Sequence, residues 1–377
     1  MRRNSFLVTI ILLVSAIAGI NGCVISPRRF VGQQVSPTPT PTATPTPTAS
    51  PTPTGSPTPT PAPQPGKLYV TNQDGNSILR FDNALTASGN QTPAAIITGS
   101  ATTLSRPQFM AIDTTHDRIY VANPDNASVV VFDGVSQLSG TNNIAPTRAV
   151  VGLNTQLQTP SSVALDEQRD LLYVADATDI FVFSPASTAN GNQAFSRDIT
   201  VNAPGFFFNA QQVFIDSTND RLYATDANNN AVVVYDGAST LPTATIAPTR
   251  IIVGNLTKLA LPSGIALDGA GNLIITNGNG TITVYANAAT ANGNQTPTAV
   301  IGGAATTLTN PGQIIKSTQT GSSDFYVADF NSNEVAVFTS LGSLSGTVAP
   351  PPARTITAPT IFTGATTARG VALDPNR

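Results

Sequence analysis

The sequence predicts an all-β protein in which one small sheet is repeated six times, and three observations support this. A short apolar stretch, first seen at Leu68 to Asn72, recurs at intervals of 50 to 53 residues. The second residue of each copy marks the repeat: Tyr69, Tyr120, Tyr173, Tyr223, Ile274 and Tyr326. Each interval holds four short apolar runs bounded by turn residues, without the 3.6-residue spacing of a helix. Composition agrees, because Gly, Pro, Asn and Thr are plentiful and only 10% of residues are charged.

Each interval is predicted to form a four-stranded antiparallel meander. In the third unit the predicted strands are Ser162 to Asp166, Leu171 to Asp176, Ile180 to Phe183 and Arg197 to Val201. Some runs, such as Val232 to Tyr235, are apolar at every position. Strands of that kind are buried on both faces. The small sheets should therefore stack face to face.

The two ends of the repeat region predict closure into a ring. The region begins at Lys67 with a second strand, and it ends at Gly370 to Asp374 with a copy of the first strand. The C-terminal strand should therefore supply the innermost strand of the first sheet. The prediction for residues 67–377 is a six-bladed β-propeller of four-stranded antiparallel blades, closed by one monomeric chain.

The repeated motifs also resemble a known family. Val163-Ala164-Leu165-Asp166, then Leu172 to Asp176, then an Asn-x-x-Val-x-Val-Phe pattern, are similar to NHL-repeat and YVTN-type β-propellers. The resemblance implies the fold but no single function, because such propellers include non-enzymatic scaffolds, lactonases and lyases. One blade departs from the pattern, with Ile314-Ile315-Lys316-Ser317 where the other first strands end in Asp.

The N-terminus predicts export and a membrane anchor. Arg2 and Arg3 precede an apolar run from Phe6 to Ile20, as in the signal peptides of secreted proteins. The run is shorter than the roughly 20 residues that span a bilayer. Ile20-Asn21-Gly22-Cys23 resembles the lipobox of bacterial lipoproteins, which implies cleavage after residue 22 and acylation of Cys23, the only cysteine. The alternative is an ordinary signal peptide in which Cys23 is incidental. We expect an envelope protein, membrane-anchored and facing the periplasm or the exterior.

Residues 23–66 are predicted to be a disordered linker. From Ser36 to Pro65 the sequence is almost entirely Pro and Thr, with no apolar side chain larger than alanine. Such a tract favours extended polyproline II and acts as a spacer. Glycosylated threonines or a docking site for a proline-reading module are alternatives. Without Arg2 and Arg3 the chain has 16 basic and 21 acidic residues, which disfavours a nucleic-acid partner.

A polar channel mouth is the first candidate site. In the resembling propellers, ligands meet the face formed by the loops that enter first strands and leave second strands. The predicted residues there are Gln108, Ser161, Gln211, Ser263, Gln313 and Arg369. They suit a polar ligand, and Arg369 suits an anionic group. The competing interpretation is an ordinary hydrated surface.

Two further candidates are a calcium site and an aromatic patch. Second strands end in Asn or Asp, and the turns after three of them, which begin at Asn72, Asp226 and Asp329, continue with alternating oxygen ligands. The candidate calcium ligands are Asp226, Asn228, Asn230, Asp329, Asn331 and Asn333. Ca²⁺ prefers such ligands, but Asn and Asp also shape hairpin turns, which is the favoured interpretation, so no cofactor is predicted. The loop with Phe206, Phe207 and Phe208 either forms a partner-binding patch or covers a blade.

An enzyme is the less favoured prediction. His116 is the only histidine, and the sequence provides no Gly-x-Ser-x-Gly motif. The resembling lactonases hold a divalent cation at the channel with Glu, Asn and Asp. The two glutamates here are predicted elsewhere: Glu167 in a hairpin at the end opposite the mouth, Glu334 at the start of a third strand. We therefore expect a non-enzymatic module that binds protein or carbohydrate. The alternatives are a metal-assisted lactonase or lyase and a purely structural surface protein.

Overall fold

The computed structural model describes residues 66–203, 205, 208–359 and 367–377, together with Gly32. The leader, Cys23 and, apart from Gly32, the linker up to residue 65 lie outside these residues. In the described part, no helix is long and apolar enough to cross a membrane. The elements there are strands and short 3₁₀ turns.

The strands follow the predicted runs closely. Those of the first half are β1 (Lys67–Asn72), β2 (Ser77–Asp82), β3 (Gly89–Asn90), β4 (Ala95–Ile97), β5 (Met110–Asp113), β6 (Arg118–Asn123), β7 (Ser128–Asp133), β8 (Gly140–Asn142), β9 (Arg148–Val151), β10 (Pro160–Asp166), β11 (Leu171–Asp176), β12 (Asp179–Phe183) and β13 (Arg197–Val201). Those of the second half are β14 (Ala210–Asp216), β15 (Arg221–Asp226), β16 (Ala231–Asp236), β17 (Ala244–Ile246), β18 (Arg250–Val253), β19 (Pro262–Leu267), β20 (Leu273–Asn277), β21 (Thr281–Tyr285), β22 (Ala299–Ile301), β23 (Pro311–Lys316), β24 (Asp324–Asp329), β25 (Glu334–Thr339), β26 (Gly346–Val348), β27 (Arg354–Thr357) and β28 (Ala368–Asp374). The 3₁₀ helices are Ser100–Thr102, Pro124–Asn126, Val135–Gln137, Leu153–Thr155, Ala238–Thr240, Ala304–Thr306 and Leu341–Ser343.

These strands form six sheets in the described residues, which confirms the six-bladed propeller. From the innermost strand outward, the blades are I (β28-β1-β2-β4), II (β5-β6-β7-β9), III (β10-β11-β12-β13), IV (β14-β15-β16-β18), V (β19-β20-β21-β22) and VI (β23-β24-β25-β27). Blade I joins the two ends of the domain as predicted. Val70 pairs with Val371, and Leu68 pairs with Leu373, in antiparallel register.

The hydrophobic core is divided among the blade interfaces. Six buried clusters each draw their side chains from two neighbouring blades. In β16 the alternate residues Val232 and Val234 face blade V, while Val233 and Tyr235 face blade III. This arrangement explains why the third strands are apolar at every position.

Neighbouring blades are also joined at the outer radius by short parallel strand pairs, which were not predicted. The connection between the third and fourth strands of one blade runs parallel to the outermost strand of the preceding blade. The pairs are β8 with β4, β17 with β13, β26 with β22 and β3 with β27, and single bridges join Gly191 to Val150 and Gly293 to Ile252. These short parallel strands cover edges that would otherwise be unpaired.

Arginine side chains reinforce the same outer contacts. Arg148 of blade II donates to Ala186 O at 3.0 Å in blade III, and Arg197 of blade III donates to Ser239 O at 2.5 Å in blade IV. Arg80 binds three carbonyl oxygens of blade II in the same way. The guanidinium groups of blades I, II and III therefore donate hydrogen bonds to backbone carbonyl oxygens of the next blade.

Candidate functional site

The innermost strands line a central channel, and their register decides which residues share a level. Val163 pairs with Val174, and Ile314 pairs with Val327, so these two residues are equivalent. The equivalent of Ser161 in blade VI is therefore Gly312. Gln313 was predicted to lie at the channel mouth, and this prediction is wrong by one residue. Blade VI was misaligned because its first strand departs from the repeat. A one-residue shift moves a side chain to the opposite face of its strand.

The polar mouth therefore comprises six residues at the entrance to the first strands: Gln108, Ser161, Gln211, Ser263, Gly312 and Arg369. One level deeper, large and small residues alternate around the axis: Phe109, Ser162, Gln212, Gly264, Gln313 and Gly370. We call this level the plug layer, because its three large side chains fill the channel below the mouth.

Gln313 holds the plug layer together. Its Oε1 accepts hydrogen bonds from the backbone N–H groups of Met110 at 3.1 Å and Val371 at 3.0 Å, while its Nε2 donates to Met110 O at 2.8 Å. One buried side chain thereby joins the inner strands of blades VI, II and I. Gln212 acts similarly, since its Oε1 accepts from the N–H of Ile265 at 2.9 Å.

The small members of the plug layer are required by close backbone contact. A Cβ on Gly370 would lie 2.5 Å from Gln108 O, and one on Gly264 would lie 2.3 Å from Gly312 O. Thr276 uses this proximity, because its Oγ1 accepts from Gly264 N–H at 2.6 Å and donates to Gly312 O at 2.7 Å. The inner edges of neighbouring strands are thus bridged by side chains.

Arg369 dominates the polar mouth. Its guanidinium lies 5.1 Å from the ring centre of Phe109 and 4.9 Å from that of Phe330. Its Nη2 donates to Gln211 Oε1 at 3.2 Å, across the channel from blade I to blade IV. Aromatic faces attract a cation, and the attraction strengthens where water is excluded. The side chain is therefore held rigidly across the channel opening.

The charge of Arg369 is not balanced by a carboxylate among the described residues. Its Nε is buried there without a hydrogen-bond partner, as is Ser263 Oγ. Burial, with a smaller contribution from the positive charge of Arg106, lowers the pKa of Arg369 to about 10. The group is still charged at neutral pH, and an anion would relieve the cost of burying it.

The opposite end of the channel has different chemistry. Below the plug layer lies a cavity of about 350 Å³, lined largely by aliphatic side chains from all six inner strands. We call it the axial cavity. It continues to the end where the hairpins join first and second strands, and Ile112, Leu165, Ile215 and Leu267 are half-buried there. Lys316 occupies their equivalent position in blade VI.

The Asn and Asp residues that end the second strands accept hydrogen bonds from the loops around them. Asp176 accepts from the N–H groups of Gln158 at 2.5 Å and Thr159 at 2.8 Å, and Asp226 accepts from those of Asn228 at 3.1 Å and Asn229 at 3.3 Å. Asp329 accepts likewise from Thr309 and Asn310. Five carboxylate oxygens of these three residues are thus hydrogen-bonded to backbone N–H groups, those of Asp176 and Asp329 in the loops that lead to the first strands and that of Asp226 in its own turn.

Further members of the predicted calcium loops connect blades. Asn230 Oδ1 accepts from Leu261 N–H at 2.6 Å in blade V, and Asn333 Oδ1 accepts from Thr367 in blade I. Both asparagines have positive φ, which Asn tolerates better than most residues. No cluster of three or more His, Cys, Asp or Glu residues suited to a metal exists in the ranges that the structure describes. Asn228 and Asn331 lie in the same turns.

The remaining predicted residues are placed as follows. Phe208 is 6% exposed and packs in the cluster between blades III and IV, so its assignment to an exposed partner patch is wrong. Phe206 and Phe207 lie outside the described residues. His116 and Glu167 lie in hairpins between first and second strands, and His116 Nδ1 contacts Asp113 Oδ2 at 2.7 Å. Glu334 is the first residue of β25.

The buried carboxyl groups predict a pH dependence of stability. Burial raises the pKa of Asp176 and Asp226, although backbone N–H donors oppose the shift. A raised pKa means that the folded state binds the proton more tightly, so this contribution stabilises at low pH and is lost as pH rises through the folded pKa. We expect the stability of the wild type relative to Asp176→Asn to fall between pH 4 and pH 7.

Thermal unfolding of both proteins across that pH range measures the difference. The reciprocal change, Asn123→Asp, places a carboxyl at the equivalent buried position in blade II and should introduce a pH dependence of the same sign. A difference between wild type and Asp176→Asn that is constant or rises with pH would contradict the assignment.

Sequence reasoning missed Phe109, Phe330, Gln212 and the axial cavity. The available signal was variation within the repeat, because Phe109 and Gln212 stand where blades I, III and V have Gly or Ser. Lys316 was noticed as a departure, but its position on the channel was not inferred.

Comparison with solved structures places this architecture among known folds. A chain from the crystal structure of a nidogen/laminin complex has a TM-score of 0.55 and 16% identity, over 82% of this chain and 97% of that chain. A chain from the crystal structure of a mitotic checkpoint complex has a TM-score of 0.47 and 14% identity, over 78% of this chain and 74% of that chain. No protein-family model and no curated protein sequence matches the chain. At such identity the likeness to the nidogen/laminin chain concerns the fold alone, and the fold is a six-bladed β-propeller.

Proposed function

We propose that this chain is a non-enzymatic binding module that recognises an anionic group of a protein or carbohydrate partner at the polar mouth. One observation carries the proposal: Arg369 is held across the channel opening by Phe109, Phe330 and Gln211, with no carboxylate partner among the described residues. A half-buried guanidinium that lacks a carboxylate partner among the described residues can form charge-assisted hydrogen bonds with a carboxylate, phosphate or sulfate group.

The groups around Arg369 favour an anion that also has polar substituents. The amide side chains of Gln108 and Gln211 are half-buried at the same mouth. Arg106, on the loop that leads to the first strand of blade II, adds a second positive charge. Acidic sugars and acidic peptide segments combine a carboxylate with neutral hydrogen-bonding groups, so they fit this arrangement.

The proposal includes the cellular setting predicted from the sequence. Cleavage before Cys23 and its acylation would attach the chain to the membrane, and the Pro/Thr-rich linker would hold the propeller away from the bilayer. The repeats would be of the NHL or YVTN type, and one monomeric chain would display the mouth at the periplasmic or exterior surface. The similar chain of the nidogen/laminin complex, which has the same fold, also occurs in a complex with a partner protein.

Calorimetric titration tests the proposal. The probes are trigalacturonic acid and hexaglutamate, with their neutral counterparts galactotriose and hexaglutamine. We expect at least one anionic probe to bind, and Arg369→Gln to weaken it by about 10- to 100-fold, because a hydrogen bond to a charged group contributes roughly 1.5–3 kcal/mol.

The matched control is Lys258→Gln. Lys258 is an exposed cation on the loop that leads to the first strand of blade V, so it tests general charge on the same face. It should leave affinity within about twofold at 0.15 M salt, because exposed charges are screened. Equal binding of charged and neutral probes, or unchanged affinity in Arg369→Gln, would contradict the proposal. Turnover of a lactone or of either oligosaccharide would show an enzyme instead.

A further inference from the structure

The axial cavity is independent of the polar mouth. The plug layer separates them, with Gln212 and Gln313 at the inner end of the cavity and both oxygen atoms of these amides engaged by backbone N–H groups. A ligand in the cavity would therefore contact neither Arg369 nor Ser263. The cavity wall and the opening at the hairpin end therefore determine which ligand the axial cavity can bind.

The wall is largely aliphatic. β23 contributes Gln313 to Lys316 to it, a depth of about 10 Å at roughly 3.3 Å per residue. A cavity of about 350 Å³ with that depth accommodates an apolar chain that enters along the channel axis.

The opening is not symmetric in charge. Five blades end their first strands in Leu-Asp or Ile-Asp, whereas blade VI has Lys316-Ser317. Relative to the other sectors, blade VI therefore gains one positive charge and loses one negative charge. Lys316 Nζ donates to Ser317 O at 3.0 Å and Ser322 O at 3.4 Å, and it forms no ion pair with a carboxylate of the described residues.

The neighbouring carboxylates are engaged within their own hairpins. Asp166 pairs with Arg169 at 2.9 Å, and Asp374 pairs with Arg377 at 3.1 Å. Asp113 contacts His116 and lies 3.9 Å from Arg118. Asp216 and Asp268 accept from Asn219 and Asn272. The Lys316 sector is thus the part of the rim best suited to an anion.

We infer that the axial cavity binds an unbranched acyl chain that ends in a carboxylate, with the chain along the channel axis and the carboxylate at Lys316. The inference requires no covalent step and does not depend on the function proposed for the polar mouth. Its size agrees with the lower range of ligand pockets, which hold small molecules between apolar walls and a few polar groups.

Calorimetric titration with straight-chain carboxylates of 6 to 16 carbons, and with alcohols of equal length, tests the inference. Each added methylene should tighten binding about fourfold until the chain fills the axial cavity. For a depth of about 10 Å the gain should stop near eight carbons, by rough estimate. At equal length the carboxylate should bind about fivefold tighter than the alcohol, the size of a partly exposed ion pair.

Two variants separate the apolar and charged contributions. Lys316→Leu gives blade VI the residue type found at Leu165, Leu267 and Leu373, and it should abolish the carboxylate preference while alcohols bind as before. Ala111→Phe should prevent binding of both series, because the ring would fill part of the axial cavity. The variant should fold, since Phe214 already occupies the equivalent position in blade IV. Ala266→Phe is a second filling variant should the first fail to fold.

Arg369→Gln is the control for the opposite end, and it should leave acyl binding unchanged. The inference is overturned if no carboxylate of any length binds, if affinity does not depend on chain length, or if Lys316→Leu keeps the full carboxylate preference. Binding that survives in a folded filling variant would also overturn it, since the ligand would then lie outside the axial cavity.

Discussion

Replacing Val371 by Asp should unfold the propeller or lower its free energy of unfolding by more than about 4 kcal/mol. Val371 is completely buried in the C-terminal strand, between blades I and VI. It packs in one cluster with Leu68, Val70 and Ala328, and its backbone N–H donates to Gln313 Oε1. A carboxylate at this site would have no cationic partner and would also separate β28 from β1, so ring closure would be lost.

Urea unfolding followed by circular dichroism measures this effect. Val151→Asp is the matched control, because Val151 lies in the outermost strand of blade II with 39% of its surface exposed. That variant should change the free energy of unfolding by less than about 0.5 kcal/mol. Similar unfolding midpoints for the Val371 variant and the wild type would show that the C-terminal strand does not close the ring.

Replacing Arg354 by Ala should lower the free energy of unfolding by about 3 kcal/mol, because Arg354 joins blade VI to blade I at the outer radius of the ring. Its Nη1 donates to Ala84 O at 2.9 Å and Ala87 O at 3.2 Å in blade I, and its Nη2 donates to Asp324 at 2.7 Å. The guanidinium also lies 5.8 Å from the ring centre of Tyr326. Removal leaves two carbonyl oxygens and one partly buried carboxylate without this donor.

Arg354→Lys should recover only part of the loss, since an ammonium cannot reproduce the planar fork that reaches Asp324 and blade I together. Lys258→Ala, at an exposed side chain, is the control for loss of a positive charge. A cycle with Asp324→Ala separates the ion pair from the carbonyl contacts. Full stability in Arg354→Ala would mean that β28 and the β3–β27 pairing suffice to close the ring.

Much of the fold could be predicted because its signals are local and repeated. The four strands of blade III, to within two residues at their ends, follow from the apolar runs. The buried third strand at Val232 to Val234 and the pairing of the chain ends follow from the same runs and their phase. The outer parallel strands could not be predicted, since β3 and β8 are only two or three residues long and lack an apolar pattern. Their pairing depends on contact with a neighbouring blade.

The candidate site was harder to predict than the fold. Arg369 was recognised as the charged member of the mouth, but its aromatic neighbours come from blades II and VI. Gln313 was placed one residue out of register, because blade VI has Gln before Ile314 where blade I has Gly before Val371. Lys316 appeared only as an irregular strand ending, since no local pattern shows that its neighbours in space are aliphatic.

The amino-acid sequence alone determined the number of blades, their strand order and the strand that joins the two ends, because the apolar runs and turns of one blade recur at a nearly constant interval along the chain. Which residues meet across the channel was decided only by the tertiary structure. Phe109, Gln211, Phe330 and Arg369 belong to four different blades, and they come together because six inner strands converge on one axis. The polar mouth, the plug layer below it and the axial cavity all result from that convergence.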